Sequence, residues 1–170
     1  MSDNPYGKTG SADTQKAAAR LAELPTLEDT ETQLRAAVVE LGSYVSSLVP
    51  GLTWQWVDER SLESCDRPYD QTKGSKVRLQ NYVSNLGIPD TVWPRVLDRA
   101  RQLAAPLGAT GSEVFEDKPG NHTVRLYSQE GTVIFRGTQG AVISSNTGCR
   151  LPAAVKNSSQ ATTSTTRVPQ

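Results

Sequence analysis

Cys65 and Cys149 are the only cysteines among 170 residues and lie 84 positions apart, so any fold this chain adopts has to account for that pair. Both sit among polar loop residues, Glu63-Ser64-Cys65-Asp66 and Thr147-Gly148-Cys149-Arg150. Such surroundings suit one structural disulfide, whereas a metal or redox site would need clustered ligands. In the chain-entropy model, closing so long a loop is worth ~4 to 5 kcal/mol. The bond would tie the middle of the chain to its last strand. Because structural disulfides persist on the oxidising side of a membrane, the pair points to an extracytoplasmic setting; two reduced thiols in a cytosolic chain are the other reading.

Eighteen Lys and Arg balance eighteen Asp and Glu, and no basic stripe is present. The field that draws a protein onto a phosphate backbone is therefore missing, and no nucleic-acid partner is expected. No run approaches the ~18 apolar residues of a membrane span, and the segment after Met1 lacks the basic-then-apolar pattern of a secretory signal. Ser2 to Ala12 reads instead as a polar linker between a processed or lipid-bearing N-terminus and a domain.

Composition divides the chain into three parts. Residues 1–25 read as a flexible leader containing a short Ala-rich helix within Asp13 to Leu24. Residues 26–152 have the size of a single domain. Residues 153–170, dominated by Ser, Thr, Gln and Asn, bury too little to offset the entropy of ordering and read as a disordered tail.

Within the domain, Thr26 is placed to cap a helix whose first turn carries Glu28 and Asp29. Leu27, Leu34, Val38, Leu41, Val45 and Leu48 form one apolar stripe that Pro50-Gly51 stops. Trp54 and Trp56 then alternate with Gln55 and Val57 as a strand does. The segment from Asp58 to Ser75 reads as a long charged loop, and Lys76 to Gln80 as a short strand. Pro89-Asp90 opens a second amphipathic helix through Val96, Ala100, Leu103 and Leu107, with Pro94 tolerated in its first turns. Four strands follow, at Glu113 to Asp117, Thr123 to Ser128, Thr132 to Arg136 and Ala141 to Ser145. The expected architecture is α+β, a two-layer sandwich of a mostly antiparallel sheet with two main helices on one face.

Chemistry-bearing residues are sparse. Trp54 and Trp56 share one strand face opposite the helices, where large aromatics are core; they are also the candidate wall of a ligand groove. Trp93, in the first turn of the second helix, is expected to be partly exposed. His122, the only histidine, stands beside a turn and reads as a solvated side chain; a hydrolase would use it as general base. Asp58, Glu59, Glu63, Asp66 and Asp70 are interspersed with Arg60, Arg67 and Lys73, which suits a self-paired surface and matches no calcium loop. One His and two distant Cys lack zinc spacing. No catalytic residue, metal site or cofactor is assigned.

Pro50-Gly51-Leu52-Thr53-Trp54-Gln55-Trp56, the Cys65-Asp66 step, Ile88-Pro89-Asp90-Thr91-Val92-Trp93 and the closing Thr147-Gly148-Cys149-Arg150-Leu151-Pro152 carry a family likeness from about Leu34 to Pro152. In these features the chain resembles the LppA-type lipoproteins of mycobacteria and related actinobacteria. The resemblance implies an envelope protein of unassigned activity, held at the outer face of the plasma membrane through an N-terminal lipid that these residues do not encode. The first functional expectation is a noncatalytic domain that binds a lipid, another apolar ligand or an envelope protein. The alternatives are an envelope hydrolase using His122 or the loop carboxylates, and a structural spacer.

Overall fold

The computed structural model describes residues 7–137 and 141–164. Its first helix, α1 (Ser11–Glu23), is short and Ala-rich, yet it is docked: Ala17 and Leu21, one helical step apart, are buried against Cys65, Tyr69 and Cys149 in a small cluster of their own. Arg20 adds an ion pair to Glu130 at 2.7 Å. The leader expected over residues 1–25 is thus corrected for its helical part, because the disulfide supplies an apolar surface for Leu21 to cover. Residues 1–6 lie outside the described residues.

The second helix, α2 (Leu27–Leu48), is capped as its sequence predicts, with the Thr26 hydroxyl accepting from the Asp29 amide at 3.2 Å. It buries Leu34, Val38, Leu41 and Val45 along one stripe. The strands β1 (Trp54–Val57), β2 (Ser61–Glu63), β3 (Lys76–Arg78) and β4 (Asn81–Ser84) follow. Two of them correct the sequence reading: β2 arises inside the segment read as loop by pairing with β3, and β4 forms between β1 and the last strand. The third helix, α3 (Trp93–Ala104), starts later than Pro89-Asp90 suggests: Val92 and Trp93 close a turn on the Pro89 carbonyl, and Pro94 has no amide to give the Asp90 carbonyl. After a 3-10 turn at Ala105–Leu107 come β5 (Gly111–Lys118), β6 (Asn121–Tyr127), β7 (Thr132–Gly137) and β8 (Val142–Thr147).

All eight strands make one antiparallel sheet in the order β1-β4-β8-β7-β6-β5, with β3 also on β8 and β2 on β3. Residues opposite one another across antiparallel strands share a face. Trp56, Tyr82, Ile143, Arg136 and Val124 are therefore one row across five strands. That row faces α2 and α3, whose Val38, Leu41, Val96 and Ala100 close the core with Leu126, Ile134 and Ile143. The architecture is the expected two-layer α+β sandwich.

The last described element is α4 (Ala153–Ser164), within the segment 153–170 expected to be a disordered tail. Its start is held by long-range contacts: the Ala153 amide donates to Glu28 at 2.8 Å, and the Lys156 ammonium to the Leu24 carbonyl at 2.7 Å. Residues 165–170 lie outside the described residues.

α2 approaches the sheet closely at Gly42. A Cβ there would sit 2.7 Å from the Tyr82 ring and 3.2 Å from the Trp54 indole nitrogen. Gly42→Val is expected to cost ~1–3 kcal/mol through overpacking, read as a lowered urea midpoint with an unchanged slope.

Candidate functional site

Trp54 and Trp56 lie on β1, a four-residue edge strand paired only with β4. Register turns both rings toward the helix layer, opposite Ser84 and Tyr82. Tyr82 stacks on Trp54, with centroids 5.1 Å apart and planes 3° from parallel, and meets Trp56 at 4.4 Å with a 44° tilt. The Trp54 indole donates to the Gly42 carbonyl at 2.8 Å. The Arg35 guanidinium covers Trp56 at 4.8 Å and donates to Gln80 at 3.1 Å. The three rings thus form a layer between β1 and α2 that packs on the core, and the two Trp keep part of their surface exposed.

Beside this layer lies a group that the sequence reading missed. Arg136 is 1% exposed, although it ends a strand whose other inward residues are Thr132 and Ile134. Its Nη1 donates to the Gly137 and Val142 carbonyls at 3.1 and 3.2 Å, and its guanidinium stands 5.5 Å from the Trp54 ring. Among the described residues, Nε and Nη2 are buried with no hydrogen-bond partner, as is the Ser145 hydroxyl. Burial pushes the guanidinium pKa down to about 9.

Magnitudes show why this is unusual. Charge-assisted bonds to carbonyls are worth ~1.5–3 kcal/mol each and a desolvated cation–π contact ~2. A buried ion without a counter-charge costs several kcal/mol, and each orphaned donor ~1–3. The signal was available in the period-two pattern Thr132, Ile134, Arg136, which places a charge on the core face.

His122 is not a solvated turn residue. It is 9% exposed, its Nδ1 lies 2.7 Å from Asp117 and its Nε2 2.7 Å from Asp90. Trp93, buried at 5% rather than partly exposed, stacks on it at 5.2 Å and 11°. The cause is non-local: the β5–β6 hairpin folds back over the start of α3, so ring and indole bury each other. The Gly120 amide and the His122 ring also hold the Asp90 carboxyl below its usual range.

The loop carboxylates do not converge. Asp58 accepts from Asn81 at 3.0 Å, Glu63 faces Arg78 at 4.0 Å and Asp66 pairs with Lys76 at 2.9 Å. Asp70 accepts from the hydroxyl of Thr9 and, at 3.1 Å, from its amide. Among the described residues, no group of three or more His, Cys, Asp or Glu could hold a metal ion.

The Thr9 hydroxyl bond, ahead of the other contacts, lowers the Asp70 pKa from 3.8 to about 2. A carboxyl depressed in the folded state stabilises above its ordinary value and loses that effect as pH falls through its folded one. The contribution is therefore whole above roughly pH 4 and fades toward pH 2. Carboxyl NMR titration is expected to place the Asp70 midpoint near 2, and Thr9→Val to move it back toward the ordinary range.

The Cys65–Cys149 disulfide is present, with Cα atoms 5.5 Å apart. It lies next to the Ser75–Arg150 bridge, where the two backbones exchange hydrogen bonds at 3.0 Å each. Lengthwise, then, the molecule has an aromatic and arginine layer at one end of the core and a covalent seam at the other.

A family model described as LppA, a lipoprotein confined to pathogenic Mycobacterium, matches residues 2–153. The chain belongs to the LppA family. Among solved structures, the crystal structure of LppA from Mycobacterium tuberculosis aligns with a TM-score of 0.70 over 86% of this chain and 91% of that one, at 14% identity. A DUF4853 family protein from Actinomyces odontolyticus aligns with a TM-score of 0.51 over 77% of this chain and 71% of that one, at 16% identity. At these identities the likeness is one of fold. No curated protein matches the chain. The LppA family is a lipoprotein family, and no helix among the described residues is long and apolar enough to cross a membrane.

Proposed function

We propose that this member of the LppA family works by binding rather than turnover, as a domain held at the outer face of the plasma membrane that seats an apolar ligand against Trp54 and Trp56. The lipoprotein character of the family and the Cys65–Cys149 bond support that location, since such bonds persist outside the reducing interior. Support for binding comes chiefly from the aromatic layer: two tryptophans and a tyrosine stacked at the edge of the sheet, on a strand with one neighbour only. Aromatic bodies with a polar tip are suited to the wall of an apolar site. The groups that a hydrolase would use are engaged elsewhere, His122 between two carboxylates, and Asp58, Glu63, Asp66 and Asp70 each with a separate partner. Native mass spectrometry of the protein purified from its own envelope tests the reading. A lipid of defined mass is expected to accompany the chain and to be lost in Trp54→Ala/Trp56→Ala. Recovery of the bare chain from an envelope that retains its lipids would overturn the reading.

A further inference from the structure

We propose that Arg136 anchors an oxyanion site on the core face of the sheet, beside Trp54, which holds the carboxylate or phosphate group of the bound ligand. The inference rests on the binding role above and adds the ligand's charged end to it. Its basis is which guanidinium nitrogens are unpartnered. Nη1 is used, holding the side chain to the Gly137 and Val142 carbonyls. Nε and Nη2 are buried and have no partner among the described residues. Those two carry N–H bonds that run parallel along one edge of the guanidinium, the edge that receives two oxygens of a carboxylate or phosphate side by side.

Ser145 lies on the same face of the sheet, on the other side of Arg136 from the Gly137 and Val142 carbonyls that hold its head group. Arg136 is opposite Ile143 and Ile134 is opposite Ser145, so Ser145 is the diagonal neighbour of Arg136 on the same face. The Ser145 hydroxyl is likewise buried without a partner. Among the described residues no ion pair offsets the Arg136 charge, and the Trp54 ring lies 5.5 Å from its guanidinium. An anion on the open fork would supply the missing counter-charge, and an apolar tail attached to it would run onto the rings of Trp54 and Tyr82. The site is closed in this structure, with Arg136 only 1% exposed. Entry therefore requires the side chains that cover Arg136, Trp54 among them, to move aside.

The test uses the purified chain and four probes: dodecanoate, dodecyl phosphate, dodecanol and inorganic phosphate, each below any micelle threshold. Binding is followed through the thermal midpoint and through the Arg136 Nε–H resonance in the nitrogen-15 spectrum. Dodecanoate or dodecyl phosphate is expected to shift that resonance and to bind Arg136→Met at least tenfold more weakly. Unliganded Arg136→Met, with an apolar side chain in place of an unpaired buried charge, is expected to melt higher than the wild type. If the variant does not fold, the wild-type resonance decides alone. A shift with inorganic phosphate as large as with dodecyl phosphate would uphold the oxyanion site, assign it to free phosphate and refute the apolar ligand. Dodecanol and dodecanoate binding equally to both variants would uphold the apolar ligand and overturn the Arg136 anchor. A resonance that no anion moves, with an internal water only on Nε and Nη2, would overturn it as well.

Discussion

Cys65→Ala/Cys149→Ala is expected to unfold with ~4.5 kcal/mol less free energy than the oxidised protein. The loss follows from the 84-residue separation: without the bond the unfolded chain is no longer closed into a long loop and gains conformational entropy. The folded side adds to the effect. Cys65 and Cys149 are the centre of the small cluster that buries Leu21 and Tyr69, so their removal also loosens α1. Guanidinium unfolding with and without a reductant measures this, and hydrogen exchange should show α1 losing protection first. A drop below ~1 kcal/mol would mean that the unfolded chain is already held compact there.

Gly148→Ala is expected to be nearly as damaging, at ~2–5 kcal/mol, from left-handed backbone strain combined with a steric clash. Gly148 has φ +70°, a conformation that L side chains rarely adopt. A Cβ there would sit 2.3 Å from the Thr132 nitrogen and 2.7 Å from the Gly131 carbonyl carbon. Both are backbone atoms in the turn between β6 and β7, which cannot move without breaking the hydrogen bond from the Cys149 amide to the Glu130 carbonyl at 2.8 Å. The thermal midpoint is the direct measurement. A midpoint within a degree or two of wild type would show that the turn yields more readily than its contacts imply.

Local signals were legible and non-local ones were not. The start of α2 could be read because Thr26 and Asp29 act across one turn, and its stripe because Leu34, Val38, Leu41 and Val45 repeat at helical spacing. β2 and β4 could not, since Ser61–Glu63 and Asn81–Ser84 are short and become strands only by pairing with segments elsewhere. The docking of α1 and of the start of α4 escaped for the same reason: Arg20 reaches Glu130, and Ala153 reaches Glu28.

The candidate site divides along the same line. The alternation around Trp54 placed both tryptophans on the helix side. Tyr82, their stacking partner, comes from a strand that was not foreseen. His122 looked solvated because its partner Asp90 lies 32 positions away. Arg136 stood in plain alternation with Ile134, but a charge at the end of a strand reads by composition as a surface residue.

The covalent seam and the location drawn from it are the premise on which the binding role stands. Intact mass of the protein, extracted from its own envelope directly into denaturant containing an alkylating agent, tests that premise. The account expects a chain two hydrogens lighter than its reduced mass and carrying no alkyl group. Two alkylated cysteines, Cys65 and Cys149, on the freshly extracted protein would contradict it.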